Sequence, residues 1–238
     1  MADYDITQGT TFPATADSAD RIAAFLRAAY GWMCAGLAIT AVTAWFVASS
    51  PSLLQTIARS GPLYLILIIA QLGIVFVLSA RVQRLSAATA SWLFIGYSVL
   101  TGVTLSFIML VYTGETLTST FVVAAGMFGA MAAYGTVAKR SLAGWGQFLF
   151  MGLIGVVIAS IVGLFWHNDG LQFVISFIGV IVFTGLAAYD AQRLKSMALM
   201  TSAGQTGSYA IVGALTLYLD FVNLFLMLLR LQGGDRRR

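Results

Sequence analysis

The chain has 238 residues, of which 59% are hydrophobic and 9% charged, with 13 Lys and Arg against 9 Asp and Glu for a formal net charge of +4. A soluble domain carries roughly 45–50% apolar and about 25% charged residues, so this composition excludes a soluble fold and leaves a polytopic membrane protein. The small positive balance reads as membrane topology and lipid contact, not nucleic-acid binding, and the lone Cys34 excludes an internal disulfide.

Residues 1–19 are polar and acidic and are expected to form a flexible tail. They precede any apolar run, so no cleavable signal peptide is expected. Residues 20–231 are expected to form one transmembrane domain, opening with a short cytoplasmic helix from Asp20 to Tyr30. The first span contains "YGWMCAGLAITAVTAWFVASS" and the second "GPLYLILIIAQLGIVFVLSA", closed by Arg81 and Arg84. Three more follow: "ASWLFIGYSVLTGVTLSFIMLVY", "TSTFVVAAGMFGAMAAYGTVA" and "QFLFMGLIGVVIASIVGLFW". The sixth is "LQFVISFIGVIVFTGLAAY" and the seventh "YAIVGALTLYLDFVNLFLMLLRL". Each is close to the ~20 residues that cross a ~30 Å hydrocarbon core as helix. None shows the alternation of a barrel strand. The predicted fold is an all-α bundle of seven transmembrane helices, followed by a basic C-terminal tail over residues 232–238.

Lys and Arg in the loops give the orientation. With the N-terminus in the cytoplasm, that side collects Arg21, Arg27, Arg81, Arg84, Lys139, Arg140, Arg193 and Lys195, and the opposite side only Arg59 before the last span. The tail opposes this pattern with four arginines in "LRLQGGDRRR". The seventh segment therefore either crosses despite its tail or is re-entrant.

Most of the acidic residues lie in tails or turns; Asp190 and Asp220 alone lie inside apolar spans. A charged carboxylate at mid-membrane costs roughly 2.5–3.5 kcal/mol on insertion scales, which makes an intramembrane acid a functional-site hypothesis by default. On the seventh segment Thr216, Asp220, Asn223 and Arg230 fall within an arc of roughly 80° at helical spacing. A helix with one polar stripe turns it toward protein or water, which predicts that this helix stands at the centre of the bundle. On the sixth, Gln172, Ser176, Gly179, Ala187 and Asp190 share a small or polar face suited to close helix approach. Asp190 lies three residues before Arg193, near the expected cytoplasmic boundary, whereas Asp220 falls near mid-membrane. Contact between them needs a last helix that begins outside the core, or a cytoplasm-facing cavity. The competing structural reading is an ion-pair network of Asp220 with Arg230 that orients the bundle.

Other candidates are plainer. His167, in "FWHNDG", reads as a solvated turn residue. Gly155, Ala159 and Gly163 read as an ordinary helix-packing ladder. Tyr and Trp near the span ends read as interfacial anchors.

"TGLAAYDAQRLK" followed by "LYLDFVNLFLMLLRL" resembles the signature of the Bax inhibitor-1 family, also called the transmembrane Bax inhibitor motif family. "YGWMCAGLAIT" and "QLGIVFVLSARVQRLS" resemble its bacterial branch, so that the likeness covers residues 20 to 233. The resemblance implies a seven-helix bundle wrapped around its last helix, in a bacterial inner membrane. It also implies a pH-sensitive calcium leak gated by a di-aspartyl site, here Asp190 and Asp220. In that reading Arg81 falls near an arginine that latches the closed state, and Arg230 matches a basic residue late in the last helix. Many members carry a Glu in the second span where this chain has Gln71, so a latch onto Arg230 would here be a neutral hydrogen bond. Two carboxylates close together in low dielectric cannot both ionise cheaply, so they are expected to share a proton and titrate as a pair. Deprotonated, they are hard oxygen ligands of the kind calcium prefers, completed by carbonyls, Asn223 or water.

No resident cofactor is expected: the partners are calcium, protons and the bilayer, with the chain acting as a monomer. The resemblance carries an alternative, a regulatory protein that binds and modulates an ATP-dependent membrane protease through its N-terminal tail. An enzyme is not expected. Intramembrane aspartyl proteases pair a Tyr-Asp with a Gly-x-Gly-Asp, and "LYLD" lacks those glycines; a rhomboid-type protease needs a membrane histidine.

Overall fold

The computed structural model describes residues 16–233 apart from position 167. The tail over residues 1–15, the handle of the regulatory reading, therefore lies outside the described residues, as do His167 and the terminal arginines. Helix α1 (Ala16–Ala48) begins inside the expected tail and runs without a break through the short cytoplasmic helix into the first span. It is followed by α2 (Pro51–Arg59), α3 (Gly61–Ala80) and α4 (Ala87–Leu105). The chain continues with α5 (Ile108–Val111), α6 (Gly114–Val137), α7 (Ala143–Phe165), α8 (Asp169–Met200) and α9 (Thr206–Gly233). Among the described residues seven helices are long and apolar enough to cross a membrane.

Local sequence explains where these helices begin and break. Ser86, Thr113 and Asn168 cap α4, α6 and α8 by accepting from the backbone N–H groups of Thr89, Thr116 and Leu171 at 3.1, 3.2 and 3.0 Å, each satisfying one of the helix's orphan donors. The third span breaks between α4 and α5. There Thr101, Thr104 and Ser106 donate to the carbonyls of Tyr97, Thr101 and Val103 at 2.9, 2.9 and 2.7 Å, and such back-bonding loosens the helical ladder. Helix α2 was not legible as a separate element. Pro51 starts it, Leu54 and Ile57 are buried on one face with Val47, and the rest is largely exposed. It lies as a short amphipathic helix between the first two spans.

The last helix is central, as its polar stripe predicts: 67% of the apolar window of α9 is buried inside the protein, against 6% for α3 at the rim. Tyr218 is fully buried and fixes α9 to two neighbours. Thr40 donates to Ser98 O at 2.9 Å, so the 2.6 Å contact between Thr40 Oγ1 and Tyr218 Oη has the tyrosine as donor. The rings of Phe94 and Tyr97 meet Tyr218 edge-on at 5.8 and 5.7 Å. On the other side Phe128 and Phe121 of α6 pack against Phe221 at 5.6 and 5.5 Å. Helices α6 and α8 cross so closely at Gly135 that a Cβ there would collide with the backbone carbonyl of Ala188.

Two readings are adjusted. Trp45, Trp92, Trp145 and Trp166 are exposed near span ends, but Trp32 packs edge-on against Phe94 at 6.2 Å instead of facing outward. Gly155 faces open space on α7, whereas Ala159 packs against the core and the buried Gly163 lies against Ile175, so the ladder packs at two of its three positions; Gly152 packs against Val182 on the same helix.

Candidate functional site: a buried carboxylate pair

Asp190 on α8 and Asp220 on α9 are each 6% exposed, and their carboxyl groups face each other within hydrogen-bonding reach. The contact that bare spacing left open is thus made, for a reason the loop charges concealed. Helix α8 does not stop at Arg193; it runs on to Met200, ten residues and about 15 Å beyond Asp190. Helix α9 starts at Thr206, fourteen residues and about 21 Å before Asp220. Both helices therefore extend past the charged boundary and bring the acids to one level. Arg21 near the start of α1 donates to Thr201 O at 3.1 Å and braces this extension. Lys195 also turns back on the protein, donating to Thr136 O at 3.2 Å.

The pair opens into a cavity of about 550 Å³ between α7, α8 and α9, lined by Gln147, Arg193, Thr216 and Asn223 among others. Asp220 Oδ2 is buried without a hydrogen-bond partner among the described residues. A buried acceptor of this kind is costly unless a proton or cation answers it. Asn223 donates from Nδ2 to Leu219 O at 2.9 Å, which leaves its Oδ1 available to the cavity. Among the described residues no group of three or more His, Cys, Asp or Glu side chains gathers anywhere. The side-chain oxygens here are two carboxylates, the amides of Gln147 and Asn223, and the hydroxyls of Tyr189 and Thr216.

The structure does not bring the other candidates to the pair. Arg81 is exposed at the end of α3 and makes no ion pair with either aspartate. The cation beside the site is Arg193, whose Nη1 lies 3.9 Å from Asp190 Oδ1. Arg230 is exposed near the C-terminal end of α9 and lines a different cavity, so the competing reading of an Asp220–Arg230 ion-pair network is not met. Gln71 donates to Thr104 Oγ1 at 3.3 Å, across to α4, and not to Arg230. A side chain can latch only what its own helix end reaches, and Arg81 and Arg230 sit at opposite ends of the bundle.

Sequence reading missed Gln192. Its Oε1 accepts from Leu142 N at 2.6 Å, and its Nε2 donates to Arg140 O at 2.9 Å. It thereby pins the loop between α6 and α7 beside the cavity mouth. The available signal was an amide two residues after an intramembrane acid, in a word read only for its aspartate.

Fold and site together define a seven-helix membrane protein whose central helix supplies one half of a buried carboxylate pair. The family described as "Inhibitor of apoptosis-promoting Bax1" matches residues 22–237. The inner membrane protein YbhL of Escherichia coli is 50% identical over 215 residues, which span 89% of this chain and 92% of that protein. An uncharacterized protein of Deinococcus radiodurans is 44% identical over 91% of this chain and 93% of its own. One of Rickettsia prowazekii is 39% identical over 99% and 100%. The chain belongs to the Bax inhibitor-1 family, and it is an integral protein of the bacterial inner membrane.

Proposed function

We propose that the protein is a pH-sensitive calcium leak pathway in which Asp190 and Asp220 hold either a shared proton or the passing cation. The observation that carries this is the face-to-face pair with one buried carboxylate oxygen unanswered, at the wall of a cavity large enough for water. With the proton shared, the pair keeps only one of its two negative charges and attracts a divalent ion less. With the proton gone, it offers hard oxygens, and Asn223 Oδ1, Thr216 Oγ1 and water fill the remaining positions. Calcium affinity follows the count of charged ligands, and two carboxylates make a weak site, which suits passage better than storage. Arg193 at the mouth biases the balance toward the ionised pair.

Transport, not catalysis, fits this environment. The helix around Asp220 carries leucines where an aspartyl protease needs glycines for a substrate backbone. The test is calcium entry into liposomes holding the purified protein, followed as a function of pH, since the two acids titrate as one pair. We expect flux that rises with pH in the wild type and loses that dependence in Asp190→Asn and Asp220→Asn. Flux that is absent from the wild type, or unaltered in both variants, overturns the reading.

A further inference from the structure

Helix α7 packs against α8 but makes no comparable packing with α9, and the space this leaves holds two cavities end to end. One is the aspartate cavity. The other, of about 450 Å³, opens toward the Arg230 end and is lined by Ser160 of α7, Gln172 of α8 and Arg230 of α9. Phe183 and Asn223 line both. Spacing explains the alignment: on α9 Thr216, Asp220, Asn223, Met227 and Arg230 recur every three or four residues and each lines one cavity or both, and on α8 Gln172, Phe183 and Asp190 follow at helical intervals of eleven and seven. Phe183, 3% exposed, stands between the polar Gln172 and Asp190, while Gly179 packs against Met227 of α9. Ser176, on the Arg230 side of that ring, is buried with its hydroxyl unpartnered among the described residues.

We propose that these two cavities form the ion route and that Phe183 is its gate, a ring separating two water-accessible vestibules. An apolar constriction stops a hydrated cation by excluding water, and seven residues, about 10 Å along α8, separate the ring from Asp190. The route rests on the leak reading above; the residues that test it are different.

Two measurements on the full-length protein decide it. In a Cys34→Ser background, Ser160→Cys should react with an impermeant thiol reagent only from the Arg230 side, and Gln147→Cys only from the other side. This measurement needs no calcium flux. An unreactive Ser160→Cys would mean that the outer cavity is dry, and the route would be wrong. In liposomes Phe183→Ala should raise calcium entry severalfold at a pH where the wild type is nearly closed, with Phe183→Leu, which keeps most of the packing volume, intermediate. Folded Phe183 variants with wild-type entry would sink the gate; should Phe183→Ala not fold, Phe183→Leu alone decides. Raised leak at Phe183 with wild-type pH profiles in both aspartate variants would leave the route standing and remove the di-aspartyl reading. The reverse pattern would remove only the route.

Discussion

Single side chains decide whether the aspartates work as one unit. If they share a proton, Asp190→Asn and Asp220→Asn each remove the like-charge repulsion and one anionic ligand, so each should flatten the pH profile and weaken calcium binding. The double variant should be little worse than either single, since two changes to one coupled unit do not add; additive losses in liposome flux would mean two separate sites. The neighbouring cations separate cleanly. Removing Arg193 withdraws a charge that favours the ionised pair, so Arg193→Ala should move the flux midpoint toward alkaline pH. The shift should be modest, because the contact is 3.9 Å and the guanidinium side is 62% exposed, where solvent screens it. Arg81→Ala should leave the midpoint in place. Matching shifts for the two arginines would return Arg81 to the site.

At the scale of elements, close helix crossings outweigh single polar contacts. Tyr218→Phe removes one interhelical hydrogen bond to Thr40 while keeping the ring packing, and such bonds average about 0.6 kcal/mol inside membranes. Gly135→Leu instead drives a side chain into the Ala188 carbonyl, which is backbone and cannot swing away. Denaturant unfolding in detergent should therefore show a small loss for Tyr218→Phe and a far larger one for Gly135→Leu. Equal losses would show that α6 and α8 can separate cheaply. Gln192 tests a different link. Gln192→Ala leaves Leu142 N without its 2.6 Å acceptor, an omission that costs about 1–3 kcal/mol for a buried group and less where water can replace it. Hydrogen exchange should quicken over residues 138–142 while α8 and α9 stay protected.

For the molecule as a whole, the eight Lys and Arg of the cytoplasmic-side loops set the expected orientation. Single cysteines placed in a Cys34→Ser background in the loops holding Arg84 and Arg140, and in the loop that follows α8, should be shielded from an impermeant reagent outside the cell. Labelling of those loops from outside would invert the assignment. The seventh segment, ambiguous because of its arginine tail, is one continuous helix from Thr206 to Gly233, long enough to cross. Its buried face meets α1, α4, α6 and α8.

Hydropathy, loop charge and helical periodicity were enough to establish seven spans, a central last helix and the two aspartates, because each is a local property of the chain. A 20-residue apolar run has one stable form in lipid, and a lone carboxylate within it stands out against its neighbours. What depended on the meeting of distant segments needed the tertiary structure. That α8 overruns its charged boundary at Arg193 by about 10 Å, so that Asp190 and Asp220 come level, is supported by the Arg21 brace and the Lys195 bond to α6. That Arg193 and not Arg81 stands beside the pair follows from which helix end reaches it. The role of Phe183 was invisible for the same reason: an apolar residue in an apolar span is unremarked until the empty space on either side of it is known.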